Sequence, residues 1–112
     1  MKKLILYNGP NSPFGRKTKI AALIHDISIE EKIIKVQESE FLDTFNPLRK
    51  IPTLVINENQ TIVDSDNICL YFDSISQKKT LFDQKNYWEI MTIISLANGL
   101  MEAGLELSLI HI

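Results

Sequence analysis

A single cysteine, Cys69, occurs in the 112 residues, which excludes an internal disulfide and a cysteine-rich metal site and suits a reducing compartment. Basic charge is not in excess: 12 Lys and Arg against 14 Asp and Glu leave a formal net charge of −2. A nucleic-acid binder relying on bulk electrostatics is disfavoured on that ground. Long apolar runs are also missing. Residues 90–100, the most apolar stretch, are broken by Thr92, Ser95, Asn98 and Gly99 and fall short of a membrane span. At the start, Met1-Lys2-Lys3 leads into Leu4-Ile5-Leu6-Tyr7, too short an apolar segment for a signal peptide, and Asn8-Gly9-Pro10 ends it at once. A hydrophobic share of 45% against 23% charged is globular composition, not disorder. The expectation is a soluble, cytoplasmic protein with a core of its own.

What is present reads as alternating strands and helices. Residues 3–7 form a short apolar strand, and Asn8 to Ser12 are turn residues throughout. Ser12 is placed to cap a helix with Pro13 at its first position. Phe14, Ile20, Ala21, Leu23 and Ile24 mark its apolar side, while Gly15 is a residue that helix propensity would not choose. Residues 29–36 read as a second strand, completing a βαβ unit with a right-handed crossover. Residues 39–45 are at most a short helix, closed by Asn46-Pro47. A strand over 53–56, a polar loop over 57–60 and a return through Thr61-Ile62-Val63 form a hairpin. Asp64-Ser65 then caps a helix with Ile68, Tyr71 or Phe72, and Ile75 on one face. Within this order, Pro52 stands directly before a strand whose ladder it cannot join as a donor, so it belongs at the strand's first residue or on an edge.

The order β-α-β-α-β-β-α, with Ser12-Pro13-Phe14, with Asn46-Pro47-x-x-Lys50-Ile51-Pro52-Thr53-Leu54 and with Asp64-Ser65-x-x-Ile68-x-x-Tyr71, resembles the N-terminal, thioredoxin-like domain of a bacterial glutathione S-transferase. Residues 97–104, Ala-Asn-Gly-Leu-Met-Glu-Ala-Gly, resemble a subgroup of small bacterial members. The fold this implies is α/β: a thioredoxin-like βαβαββα mixed sheet over residues 1–75, then a linker over 76–83. Residues 84–106 follow as the first helix of an incomplete all-α domain. That helix is apolar on more than one face, with Trp88, Met91, Ile94 and Ala97 on one side and Ile90, Ile93, Leu100 and Met101 on others. Such a helix must be covered, by a partner chain or by further helices. Residues 107–112, Leu-Ser-Leu-Ile-His-Ile, resemble the translated end of a sequencing-library transposon, so a truncated gene with a non-native tail is expected.

The resemblance also implies site residues. Glutathione is the co-substrate and no metal is involved. Pro52 is expected in the cis form, turning the N–H and C=O of Ile51 towards the cysteinyl backbone of glutathione as though the tripeptide were a short added strand. Ser12 is the candidate for stabilising the glutathione thiolate, with Asn11 as second choice; as read from the residues alone, Ser12 is a plain cap. Tyr7 is ranked as wall or core. Asp64 holds the γ-glutamyl ammonium and Ser65 the γ-glutamyl carboxylate at a helix N-terminus, although Asp64 is one methylene shorter than the glutamate common there. Lys50, and less so Arg49, add positive potential for an anionic ligand. Cys69 is a core residue and His25 suits the end of its helix. With Ser12-Pro13-Phe14-Gly15 in place of a Cys-Pro-x-Cys motif, dithiol exchange is disfavoured. The expected partners are glutathione, a small electrophile and a second copy of the chain in a homodimer. The competing function is that of a non-catalytic regulatory or interaction protein built on the same fold.

Overall fold

The computed structural model describes residues 3–48, 50–78 and 80–110, with the backbone alone over 106–110. Arg49 and the last two residues of the expected tail therefore lie outside the described residues. The chain divides into two units, Met1–Lys79 and Thr80–Ile112.

In the first unit, β1 (Leu4–Asn8), β2 (Ile29–Ile33), β3 (Thr53–Asn57) and β4 (Gln60–Val63) form one sheet in the order β2-β1-β3-β4. β1 runs parallel to β2 and antiparallel to β3, and β3 runs antiparallel to β4. The central pair β1 and β3 carries the fully buried Leu6 and Leu54, which stand opposite each other. That side of the sheet meets α2 (Ser65–Ile75), whose Ile68, Cys69 and Phe72 are buried, and α2 packs in turn on α1 (Pro13–Ile24). Each fully buried large side chain in this layer contributes about 1.5–3 kcal/mol relative to exposure. On the other side, Tyr7, Val55 and Leu42 form a second cluster that takes in Ile5, Ile34, Phe45 and Ile51. Tyr7 is thus a core residue: its ring lies 5.3 Å from Phe41 and 6.1 Å from Phe45, centroid to centroid.

Several details differ from the reading of the sequence. β2 stops at Ile33 instead of Val36; after Ile34 and Lys35 the chain turns into a 3₁₀ segment at Val36–Glu38. The short helix expected at most over 39–45 is present as a 3₁₀ segment, Glu40–Thr44. The face that α1 buries is also different. Gly15, Thr18, Ala21 and Ala22 point inward, whereas Ile20, Leu23 and Ile24 are exposed, Leu23 at 72%. Close approach of this helix selects small side chains, so size and not hydrophobicity marks the inner face. On α2, Ile75 is likewise exposed.

The second unit opens with a 3₁₀ turn at Gln84–Asn86, where Asp83 Oδ1 accepts from the Lys85 N–H at 3.0 Å. α3 follows over Tyr87–Ile110, and its backbone passes the expected end at Glu106. Trp88 and Leu100 on this helix are 79% and 76% exposed. Among the described residues, no helix is long and apolar enough to cross a membrane.

Candidate functional site

Sheet register gathers the segments that the sequence singled out. Tyr7 stands opposite Thr53, and Thr53 opposite Val63. The next residues outward from that row are Asn8, Pro52 and Asp64, so the end of β1, the start of β3 and the end of β4 share one end of the sheet. Both helices begin there, α1 after Ser12 and α2 after Asp64. Their first-turn N–H groups and partial positive charges are thus carried to the same end of the domain.

Ser12 caps α1: its Oγ accepts from the Gly15 N–H at 3.1 Å. A serine hydroxyl has a second lone pair and one proton besides, so this cap leaves the O–H to donate elsewhere. Ser12 is half-buried and Asn11 exposed. Gly9 ties this loop to the start of β3, since a Cβ there would lie 2.4 Å from Ile51 Cδ1. That atom is the free end of the Ile51 side chain, which would have to turn aside for any larger residue.

Ile51 and Pro52 are joined by a cis peptide bond, Ile51 half-buried and Pro52 buried. The turn leading to them is framed by Asn46, which the sequence reading treated as a helix stop and as the start of the family motif. Its buried amide donates from Nδ2 to the Lys50 carbonyl and to Thr53 Oγ1, both at 3.1 Å, and its Oδ1 accepts from the Leu48 N–H at 3.0 Å. Thr53 Oγ1 donates to the same Lys50 carbonyl at 2.6 Å. The Lys50 carbonyl is therefore occupied in the turn while the residue itself is exposed.

Asp64 adopts φ 77° and ψ 128°, a conformation that side chains rarely take, and its Oδ1 accepts from the Asp66 N–H at 2.9 Å. One carboxylate oxygen thus caps α2 and the other is left for a further partner. Ser65, the first residue of the helix, is buried. Asp66 forms an ion pair with Lys17 of α1, joining the N-terminal halves of the two helices. Both partners are about a quarter exposed, which limits the pair's worth to roughly 1 kcal/mol. Lys17 Nζ also lies 5.8 Å from the centre of the Phe14 ring.

Burial pushes the Cys69 thiol up from 9.0 to about 11, opposed by Lys17 and reinforced by Asp66 and Asp64. This cysteine is a core residue, not a nucleophile. His25 sits at the other end of α1, buried, with Nε2 3.2 Å from Asp73 Oδ1 of α2. The approach is close but not aligned as a hydrogen bond. No group of three or more His, Cys, Asp or Glu gathers as a metal site among the described residues.

The strand order, the two converging helix starts and the proline-led central strand define a thioredoxin-like domain. Residues 6–80 match the family model described as glutathione S-transferase, N-terminal domain, and the chain belongs to that family. It is 32% identical over 97 residues to the uncharacterized GST-like protein YibF of Escherichia coli (strain K12), an alignment that takes in 84% of this chain and 48% of YibF. A glutathione S-transferase from Methylobacillus flagellatus kt, solved with GSH bound, shares the fold at a TM-score of 0.84 and 24% identity, over 92% of this chain and 52% of that one. A glutathione transferase family member from Pseudomonas fluorescens Pf-5, solved with bound glutathione, has a TM-score of 0.78 and 28% identity over 92% and 54%. The chain spans about half the length of these relatives.

Proposed function

We propose that the protein is a glutathione transferase whose residues 1–75 bind glutathione and activate its thiol for attack on a small electrophile. The observation that carries this reading is the convergence, through register alone, of two helix N-termini and the Ile51-Pro52 turn at one end of the sheet. The ligands carried by the structural relatives support the choice of tripeptide.

Ser65 and the first-turn N–H groups of α2 receive the γ-glutamyl carboxylate. The oxygen of Asp64 not used in capping faces the γ-glutamyl ammonium. Ile51 N–H and C=O pair with the cysteinyl backbone, with Pro52 as the wall beside it, and Lys50 adds attraction for a ligand that is anionic overall. Ser12 donates its O–H to the sulfur while its oxygen keeps the Gly15 N–H, so capping and thiolate stabilisation are performed by one group and do not compete. Free thiols titrate near ~8.5, and lowering that by about two units needs roughly 2.7 kcal/mol. A hydroxyl donated to an anion supplies on the order of 1.5–3 kcal/mol. The α1 terminus adds on the order of 0.3–1 kcal/mol. The two together are sufficient. Asn11, exposed beside Ser12, is the second candidate for the sulfur contact. A small electrophile as co-substrate and a homodimer complete the proposal, with residues 76–83 as linker and 84–106 as the first helix of a helical domain.

An amide-resolved NMR titration with glutathione tests this. Shifts clustered at Ser12, Ile51 and Ser65 are expected. A well-dispersed spectrum that ignores millimolar glutathione overturns the reading in favour of an interaction protein on the same fold.

A further inference from the structure

We propose that Asn8 is a positioning residue that holds the Gly9–Ser12 loop, and through Gly15 the Ser12 hydroxyl, where a thiolate needs it; its catalytic half rests on the reading of Ser12 above. Asn8 is the last residue of β1 and only 3% exposed. Its Nδ2 donates to Glu31 Oε2 of β2 at 3.1 Å, and its Oδ1 accepts from the Gly9 N–H at 3.2 Å. Its main-chain carbonyl accepts from the Ile34 N–H at 2.8 Å. One residue thereby ties together two strands and the first residue of the loop. The amide group also lies against the α-carbon of Gly15. A Cβ on Gly15 would fall 1.6 Å from Asn8 Oδ1, 2.5 Å from Cγ and 2.8 Å from Nδ2.

Gly15 is the residue whose N–H donates to Ser12 Oγ. The helix-breaking glycine of α1 is therefore explained: its missing side chain is the space in which the Asn8 amide sits. Displacing that amide must displace either the loop or the first turn, and Ser12 lies between them. The orientation of the amide is fixed by charge. The Glu31 carboxylate can only accept, so Nδ2 faces β2 and Oδ1 is left for Gly9. Glu31 is itself held by Lys19, at 3.3 Å from its other oxygen.

The test compares the wild-type chain with Asn8→Asp, Asn8→Asp combined with Glu31→Gln, and Gly15→Ala. Two quantities are read: hydrogen exchange at the backbone N–H of residue 15, and the pH titration of bound glutathione thiolate by its ultraviolet absorbance. Asn8→Asp keeps the shape but sets a carboxylate opposite Glu31. It should speed exchange at residue 15 by about fivefold, the loss of a typical cap, and raise the bound thiol's midpoint by about one to two pH units. Adding Glu31→Gln restores the bond with donor and acceptor exchanged and should return both readouts to near wild type. Gly15→Ala should match Asn8→Asp in direction. Folded variants with unchanged exchange at residue 15, or a double variant no better than Asn8→Asp, overturn the assignment. If exchange responds as expected but no lowered thiol midpoint is seen even in the wild type, the glutathione reading falls and the loop assignment stands.

Discussion

Asp64 holds a backbone conformation, φ 77° and ψ 128°, that costs a non-glycine residue on the order of 1–3 kcal/mol. A glycine there would relieve the strain and lose only a few tenths of a kcal/mol in capping. Asp64→Gly is therefore expected to raise the urea midpoint while weakening glutathione binding, measured by titration calorimetry; a variant that is both more stable and equally tight shows that the carboxylate has no ligand role. Ser12→Ala removes the α1 cap and should cost about 1 kcal/mol of stability. It should also raise the pH midpoint of conjugation, with glutathione binding retained. Equal damage from Asn11→Ala, with Ser12→Ala silent, would transfer the sulfur contact to Asn11. For Cys69 the folded pKa of about 11 lies above the ordinary 9.0, so the fold favours the protonated thiol. The stability tied to that preference is complete below pH 9 and is lost as pH rises towards 11 and beyond. Denaturation across that window should show a steeper decline for the wild type than for Cys69→Ala.

At the scale of elements, α1 and α2 are joined in their N-terminal halves by Lys17 and Asp66 and near their C-terminal ends by His25 and Asp73. The two contacts differ in environment. The first is a partly exposed ion pair, and Lys17→Met should change stability by less than about 1 kcal/mol. The second is buried, with the His25 side chain closed off from solvent. His25→Ala removes a packed ring at the C-cap of α1 and should cost about 1–3 kcal/mol by urea denaturation. A smaller loss for His25→Ala than for Lys17→Met would reverse this ranking. Helix identity and caps were legible in the sequence here, because Ser12-Pro13 and Asp64-Ser65 act through their own neighbouring N–H groups. The inward face of α1 was not. Ile20, Leu23 and Ile24 carry the stronger hydrophobic signal, yet the side of α1 that is buried, where α2 and Asn8 come close, carries the small Gly15, Thr18, Ala21 and Ala22.

For the molecule as a whole, α3 displays Trp88, Ile93, Leu96 and Leu100 to solvent. A row of large apolar side chains on one exposed helix promotes association. This chain should therefore sediment as concentration-dependent oligomers, and replacing those four residues by serine should leave a monomer. A monodisperse wild-type monomer would contradict that.

The sequence by itself determined the strand and helix order, the caps at Ser12 and Asp64, and Pro52 at the entrance to the central strand. These depend on local chemistry: a side-chain oxygen near an unpaired N–H, a ring without a donor, alternation of apolar residues. The family was legible for the same reason, since its motifs lie in short contiguous runs. Only the tertiary structure decided that Asn8 occupies the space left by Gly15, that Gly9 meets Ile51, and that Lys17 reaches Asp66. Those pairs are separated along the chain and are brought together by strand register and helix packing. The requirement each places on its residue is set by the distance to a neighbour that the local sequence does not contain.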